Sequence, residues 1–416
     1  MKHSWWLLAI LCLLFIAAAF LFLLQPGVQT WLGEHLAIWY GRVNVWLNPP
    51  EKVSFSAAEA EVTLQPPTLV PTPKSTPTVV TTPMPAYQVI RGGEYFSQHN
   101  RWNYCGPANL AMLLSFLGWE GDHDDVAGEV KPYITDKNVM PYELAEFARA
   151  QGYDAIVRVG GDLELIKRFI NAGIPVLVEK GPHFRDIFGK MTWMGHYQVL
   201  NGYDEVRDVF IAQDSFIQAD YKQPYEKLIE EWRSFNYTYV VAFPPQQRND
   251  VLNLLGEDAD ETKNYQRALL KAAEEVGQLE GVDLFFAYYN YGTNLVNLRD
   301  YAGAAVAYDQ AFALYDALPE SMTLRPYRIL WYQTGPYFAY FYTARYLDVI
   351  EKATRNSIEM VRDDEPALEE SFYWRGKAKI AIGDREGGIE DFTTCLQYHP
   401  GFNPCLEALH EQGIYP

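Results

Sequence analysis

The chain has 416 residues, of which 49% are hydrophobic and 15% aromatic, enough for two or three domains with buried cores. Lys and Arg number 34 against 53 Asp and Glu, a net charge of -19, and no basic run offsets it, so nucleic acid is excluded as a partner. Four cysteines are too few for a disulfide scaffold.

The first element in chain order is an uncharged run of twenty residues, 5–24, about the length that spans a bilayer as a helix. It is too long for the apolar part of a signal peptide, and Gln25-Pro26-Gly27 ends it without a small-x-small site. Residues 1–25 therefore read as an uncleaved transmembrane anchor. Lys2 precedes the span and no Lys or Arg follows before Arg42, which puts the N-terminus in the cytoplasm and the folded parts outside. Residues 26–65 form a juxtamembrane segment whose Trp31, Trp39, Tyr40 and Trp46 suit a membrane interface or a plain short helix. In the next stretch, 66–86, thirteen of the twenty positions 66–85 are Pro or Thr. Proline fixes φ and removes donors, so this is an extended, semi-rigid linker of the kind that holds a domain off a membrane.

Residues 87–245 mix strand-like runs (155–159, 175–179, 197–200, 209–212, 237–243) with helical patterns at 106–117, 141–150 and 163–172. That order predicts an α+β domain rather than a regular βαβ series. Pro244-Pro245 then opens a linker over 246–263. Residues 264–416 are almost wholly helical in pattern, and they repeat. Tyr288, Gly292, Ala304, Tyr308 and Ala311 recur at the same offsets as Phe372, Gly376, Gly388, Phe392 and Cys395, with Pro400 after them. A weaker copy carries Tyr337, Tyr346, Val349 and Ala353. Small residues let paired helices approach and aromatics fill the gaps, and this spacing resembles tetratricopeptide repeats. The resemblance implies an all-α helical array that docks a protein partner.

The chemistry concentrates in two places. Cys105-Gly106-Pro107-Ala108 opens an amphipathic helix, where free N–H groups and the macrodipole favour a thiolate. Gly195-His196-Tyr197 starts an apolar strand, and Gln213-Asp214-Ser215 ends the next one. If those strands pair as a hairpin, His196 and Asp214 fall at one end, as a base and its orienting acid require. His183, in a Gly181-Pro182 loop, is the rival base. His123-Asp124-Asp125 reads as an exposed turn rather than a metal site, and Cys395 with Cys405 can pair only if their helices bring them together. Cys12 lies in the anchor, and the Tyr-rich runs 285–291 and 337–342 read as helix packing.

Residues 87–243 resemble the papain-like cysteine peptidases, specifically the bacteriocin-processing, double-glycine-leader branch. The resemblance rests on Gln98, Cys105-Gly106-Pro107-Ala108, Gly173-Ile174-Pro175-Val176, Gly195-His196-Tyr197, Gly202-Tyr203 and Asp214, in that order. It implies a papain-like α+β fold with Cys105 as nucleophile, His196 as base, Asp214 as orienter and Gln98 as oxyanion donor. Asn100 or Asn103 could replace Gln98 in that role. No cofactor or metal is implied. The family's exporter ATPase has no counterpart here, since no Gly-x-x-x-x-Gly-Lys-Ser/Thr occurs.

The expected protein is thus a membrane-anchored extracytoplasmic cysteine peptidase acting on a peptide or protein substrate, with helical repeats for docking. An inert peptidase-like scaffold, or an acyl- or amide-transferring enzyme on the same fold, would leave the same sequence pattern.

Overall fold

The computed structural model describes residues 84–99, 101, 103–131, 138–185, 191–319, 325–354 and 368–416. The anchor expected over 1–25, the juxtamembrane segment 26–65 and nearly all of the linker 66–86 lie outside the described residues. Among the described residues, no helix is long and apolar enough to cross a membrane.

An antiparallel sheet organises the first part. Its strands are β1 (Tyr87–Val89), β2 (Asp154–Arg158), β3 (Val176–Lys180), β6 (His196–Asp204), β7 (Val209–Asp214), β8 (Gln218–Pro224) and β9 (Tyr239–Phe243), in the order β2-β9-β3-β6-β7-β8, with β1 also paired to β6. β4 (His183–Arg185) and β5 (Met191–Trp193) form a separate two-stranded ribbon. Side chains alternate between the two faces. Leu177, Tyr197 and Val199 pack with residues of α1 (Cys105–Ser115), α2 (His123–Val130) and α3 (Pro141–Ala150). Val176, Val178, Leu200 and Tyr203 instead face α4 (Leu163–Asn171) and α5 (Tyr225–Arg233). The expected α+β arrangement is therefore present, and α1 lies across β6, the strand that carries His196.

Two local expectations need correction. His123 begins α2 rather than an exposed turn: Asp122 accepts from the amides of Asp124 and Asp125, and Asp125 accepts from that of Asp122, closing a capping box. The linker expected over 246–263 is also folded. Here α6 (Arg248–Leu255) buries Val251 and Leu255 in the core beneath the sheet. Pro244-Pro245 ends the strand as expected, but Val251 and Leu255, four apart, form an apolar helix stripe that the sheet covers.

The remainder is helical: α7 (Glu261–Val276), α8 (Gly281–Asn297), α9 (Tyr301–Ala317), α10 (Ile329–Tyr332), α11 (Gly335–Tyr342), α12 (Tyr346–Lys352), α13 (Glu369–Ala381), α14 (Arg385–Tyr398) and α15 (Asn403–Glu411). The repeated offsets have a packing cause. A Cβ added to Gly292 would sit 2.9 Å from the Tyr308 ring, and one added to Gly376 would sit 2.6 Å from the Phe392 ring. Each aromatic thus lies directly against the glycine of the preceding helix. The helix starts match too: Asp300 accepts from the Gly303 amide, as Asp384 does from that of Gly387. The weaker copy falls on the shorter α11 and α12. The Tyr-rich runs pack together, with Tyr289, Tyr337 and Tyr340 buried in one core cluster. Cys395 and Cys405 are disulfide-bonded, joining α14 to α15.

A dense seam ties the sheet to α7. Arg158 donates to the carbonyls of Asp258 and Ala259 at 2.5 and 2.7 Å. The Asn264 amide pairs with both backbone groups of Val159, at 3.0 and 2.8 Å. Gly160 lies at φ +68, and a Cβ there would come within 2.9 Å of Ala268, so the left-handed turn and the close approach both need glycine.

Candidate active site

The hairpin inferred from sequence is present. β6 and β7 pair antiparallel, with Val199 opposite Gln213, and this brings His196 and Asp214 to one end. His196 Nε2 lies 2.9 Å from Asp214 Oδ1. The pair is closed to water: His196 is 3% exposed and Asp214 0%. Phe184 packs edge-on to the imidazole at 5.1 Å between ring centroids, and Phe216 at 6.4 Å.

Asp214 is saturated with donors. Besides His196, it accepts from Gln198 Nε2 at 2.8 Å and from the amides of Phe216 and Ile217, each at 3.0 Å. Burial alone would raise its pKa, but charged His196, Lys180 and the Ile217 amide outweigh it and hold the carboxyl well below the usual carboxylate range. His196 is the mirror case. Burial pushes its pKa down, while the charge and hydrogen bond of Asp214, aided by Cys105, push it up to about 9. With Nε2 committed to Asp214, Nδ1 is the nitrogen left for Cys105, whose thiol helps to raise the pKa of the imidazole.

Cys105 is half-buried at the start of α1, in a first turn that contains no acid and no side-chain cap. Asn103, just before it, takes a left-handed φ of 56. Glu179 lies opposite Tyr197 on β3 and lines the same small cavity as Cys105. Burial holds its carboxyl well above the usual range, which disfavours a negative charge beside Cys105.

Gln98 joins this group through Ser215. Its backbone N–H donates to the Ser215 carbonyl at 2.9 Å, and the Ser215 hydroxyl donates to Gln98 Oε1 at 2.6 Å. Asn109 Nδ2 donates both to Ser215 Oγ and to the Cys105 carbonyl, each at 2.8 Å. One chain of hydrogen bonds therefore links Cys105, Asn109, Ser215 and Gln98. Because Oε1 accepts, the Gln98 NH₂ is the end free to donate.

The four residues singled out in the sequence, Gln98, Cys105, His196 and Asp214, are thus brought into one connected group. His183 starts β4 and is exposed, unlike His196. Asn103 lines the cavity beside Cys105, while Asn100 lies outside the described residues. Sequence reasoning missed Asn109, Gln198 and Ser215. Gln198 had a signal, since it lies two residues from His196 on the same strand face. Asn109 had another, one helical turn after Cys105.

Residues 92–240 match the model of the Peptidase_C39 like family, a span that contains all of the site residues just described. Two solved structures are similar to part of this chain. One is a C39-like peptidase from Bacillus anthracis: 18% identity, 38% of this chain and 96% of that chain covered, TM-score 0.31. The other is a double glycine motif protease from an AMS/PCAT transporter in complex with the leader peptide: 20% identity, 38% and 98% covered, TM-score 0.28. No curated protein matches the chain.

Proposed function

We propose that this chain is a thiol peptidase, held at the membrane by residues 1–25 and acting outside the cytoplasm on a peptide or protein substrate. The observation that carries the peptidase reading is the buried His196, bonded to the donor-saturated Asp214 through Nε2 and electrostatically coupled to Cys105.

The Cys105 thiolate attacks the scissile carbonyl carbon, and the C–S bond forms as the carbonyl π electrons move to oxygen. The Cys105 amide and the Gln98 NH₂ donate to that oxyanion. Imidazolium His196 then gives its proton to the leaving amine, the C–N bond breaks, and a thioester remains. His196, now neutral, takes a proton from water as the water attacks the thioester. Collapse of that second adduct releases the acid and returns thiolate and imidazolium. Asp214 keeps the ring oriented and supports its charge throughout.

Membrane anchoring draws its support from the uncharged run 5–24, and an outside location from the Pro/Thr stretch beyond it. The Cys395–Cys405 disulfide fits an oxidising compartment. The helical part, with its tetratricopeptide-like offsets, is read as a docking array for substrate or partner. The test is labelling of the full chain by a peptide bearing a thiol-reactive electrophile, with and without Cys105, followed by mapping of the bond cleaved in candidate substrates. Labelling that is indifferent to Cys105 removes the peptidase reading.

A further inference from the structure

One wall of the cavity beside Cys105 comes from outside the α+β part. Tyr332, the last residue of the four-residue α10, lines it together with Cys105, Gly106, Glu179, Gly195 and Tyr197. Its ring lies directly against the backbone preceding His196: a Cβ added to Gly195 would sit 2.9 Å from Tyr332 Cε1.

Tyr332 is also held in place from behind. Its ring meets Trp193 and Phe235 at centroid distances of 5.8 and 5.7 Å. The next residue, Gln333, donates to the Ser234 carbonyl at 2.6 Å and accepts from the Tyr289 hydroxyl at 2.6 Å. The first bond ties the segment to the end of α5, and the second ties it to α8. A ring fixed on both sides can exclude volume, because close-packed surroundings resist displacement.

We propose that Tyr332 is a specificity-determining residue of the thiol site: through it, the helical region sets how large a substrate group can lie beside Cys105. This rests on Cys105 being the nucleophile of the proposed peptidase. It gives the helical region a part in selection that docking alone does not require. Substrates would be polypeptides whose segment at the scissile bond is slim enough to pass between the Tyr332 ring and the first turn of α1.

The experiment uses the full chain and two reagents with the same reactive group, iodoacetamide and 5-iodoacetamidofluorescein. Second-order rates at Cys105 are read by peptide mapping, with Cys105→Ala as background. The wild type should react more slowly with the bulky reagent. Tyr332→Ala should raise that rate about tenfold, the effect of a ~1.4 kcal/mol steric barrier, and change the iodoacetamide rate less than about twofold. Tyr332→Leu should fall between, and Tyr332→Phe, which keeps the ring, should behave as wild type; this graded pair stands if the alanine variant does not fold. The proposal is overturned if the wild type does not discriminate, if Tyr332→Ala and Tyr332→Leu leave the bulky rate unchanged, or if both rates rise together. A wild-type Cys105 that iodoacetamide does not modify above background overturns the peptidase reading and this proposal with it; normal iodoacetamide reactivity without size discrimination overturns this proposal alone.

Discussion

Replacing Asp214 by Asn tests the electrostatic core of the site. His196 is held up to about 9 against an ordinary value of 6.5, with burial working against that rise. The rise corresponds to roughly 3 kcal/mol of proton affinity. The raised value makes the imidazolium a source of stability that is fully present below ~6.5 and lost as pH rises through about 9. Asparagine keeps the shape of the site. It can still accept from Phe216 and Ile217, and Gln198, whose Oε1 is buried without a partner, can turn its amide to accept from the new NH₂. Only the charge is lost, and burial then lowers the His196 pKa from its wild-type value. At pH ~7.5 the wild-type ring should be largely charged, and the charged population should drop severalfold in Asp214→Asn. Histidine-selective NMR of the full chain measures this directly, with His196→Ala identifying the resonance. A His196 ring that titrates alike in both proteins would refute the claim that Asp214 sustains its charge.

Cys105→Ala should abolish labelling by iodoacetamide at neutral pH and leave the fold unchanged; labelling at the wild-type rate would sink the nucleophile assignment. In His196→Ala the rate of Cys105 alkylation at neutral pH should fall, while His183→Ala should leave it as it is; the opposite result gives the base role to His183. Ser215→Ala removes the hydroxyl that fixes the Gln98 amide, so acylation by p-nitrophenyl acetate, which passes through an oxyanion, should slow about fivefold, the worth of one ~1 kcal/mol hydrogen bond. Alkylation by iodoacetamide, which forms no oxyanion, should not slow, and equal slowing of both would mean a purely structural role for Ser215. Protease added to intact cells should release a soluble fragment cut within 66–85; a body shielded until the cells are broken would reverse the proposed orientation.

Legibility in the sequence followed the range of the interactions. Cys105 announces itself locally, because a helix start leaves marks in consecutive residues. His196 and Asp214 could be placed together because β6 and β7 are consecutive strands and antiparallel pairing makes their outer ends meet. Ser215 could not be given its role, since its partners Asn109 and Gln98 are 106 and 117 residues away. Tyr332 was invisible for the same reason. The repeat was legible because Gly292 against Tyr308 and Gly376 against Phe392 are single contacts at a fixed spacing, and a contact at fixed spacing leaves a periodic trace. The misread linker shows the converse. A proline pair marks where a strand stops, and only the presence of an uncovered sheet face decides whether the next segment is buried.

The seam between the sheet and α7 bears on what the chain can be divided into. Arg158, Val159 and Gly160 hand their hydrogen bonds and their close approach to Asp258, Ala259, Asn264 and Ala268, all of which lie beyond the proline pair. Severing the chain at 245 would leave the edge strand β2 facing water at the corner where α7 now covers it, and would strip Val251 and Leu255 from beneath the sheet. In this chain the part that carries the cysteine is therefore packed as one unit with the segment beyond the proline pair. Its fold draws on at least the first helices beyond it.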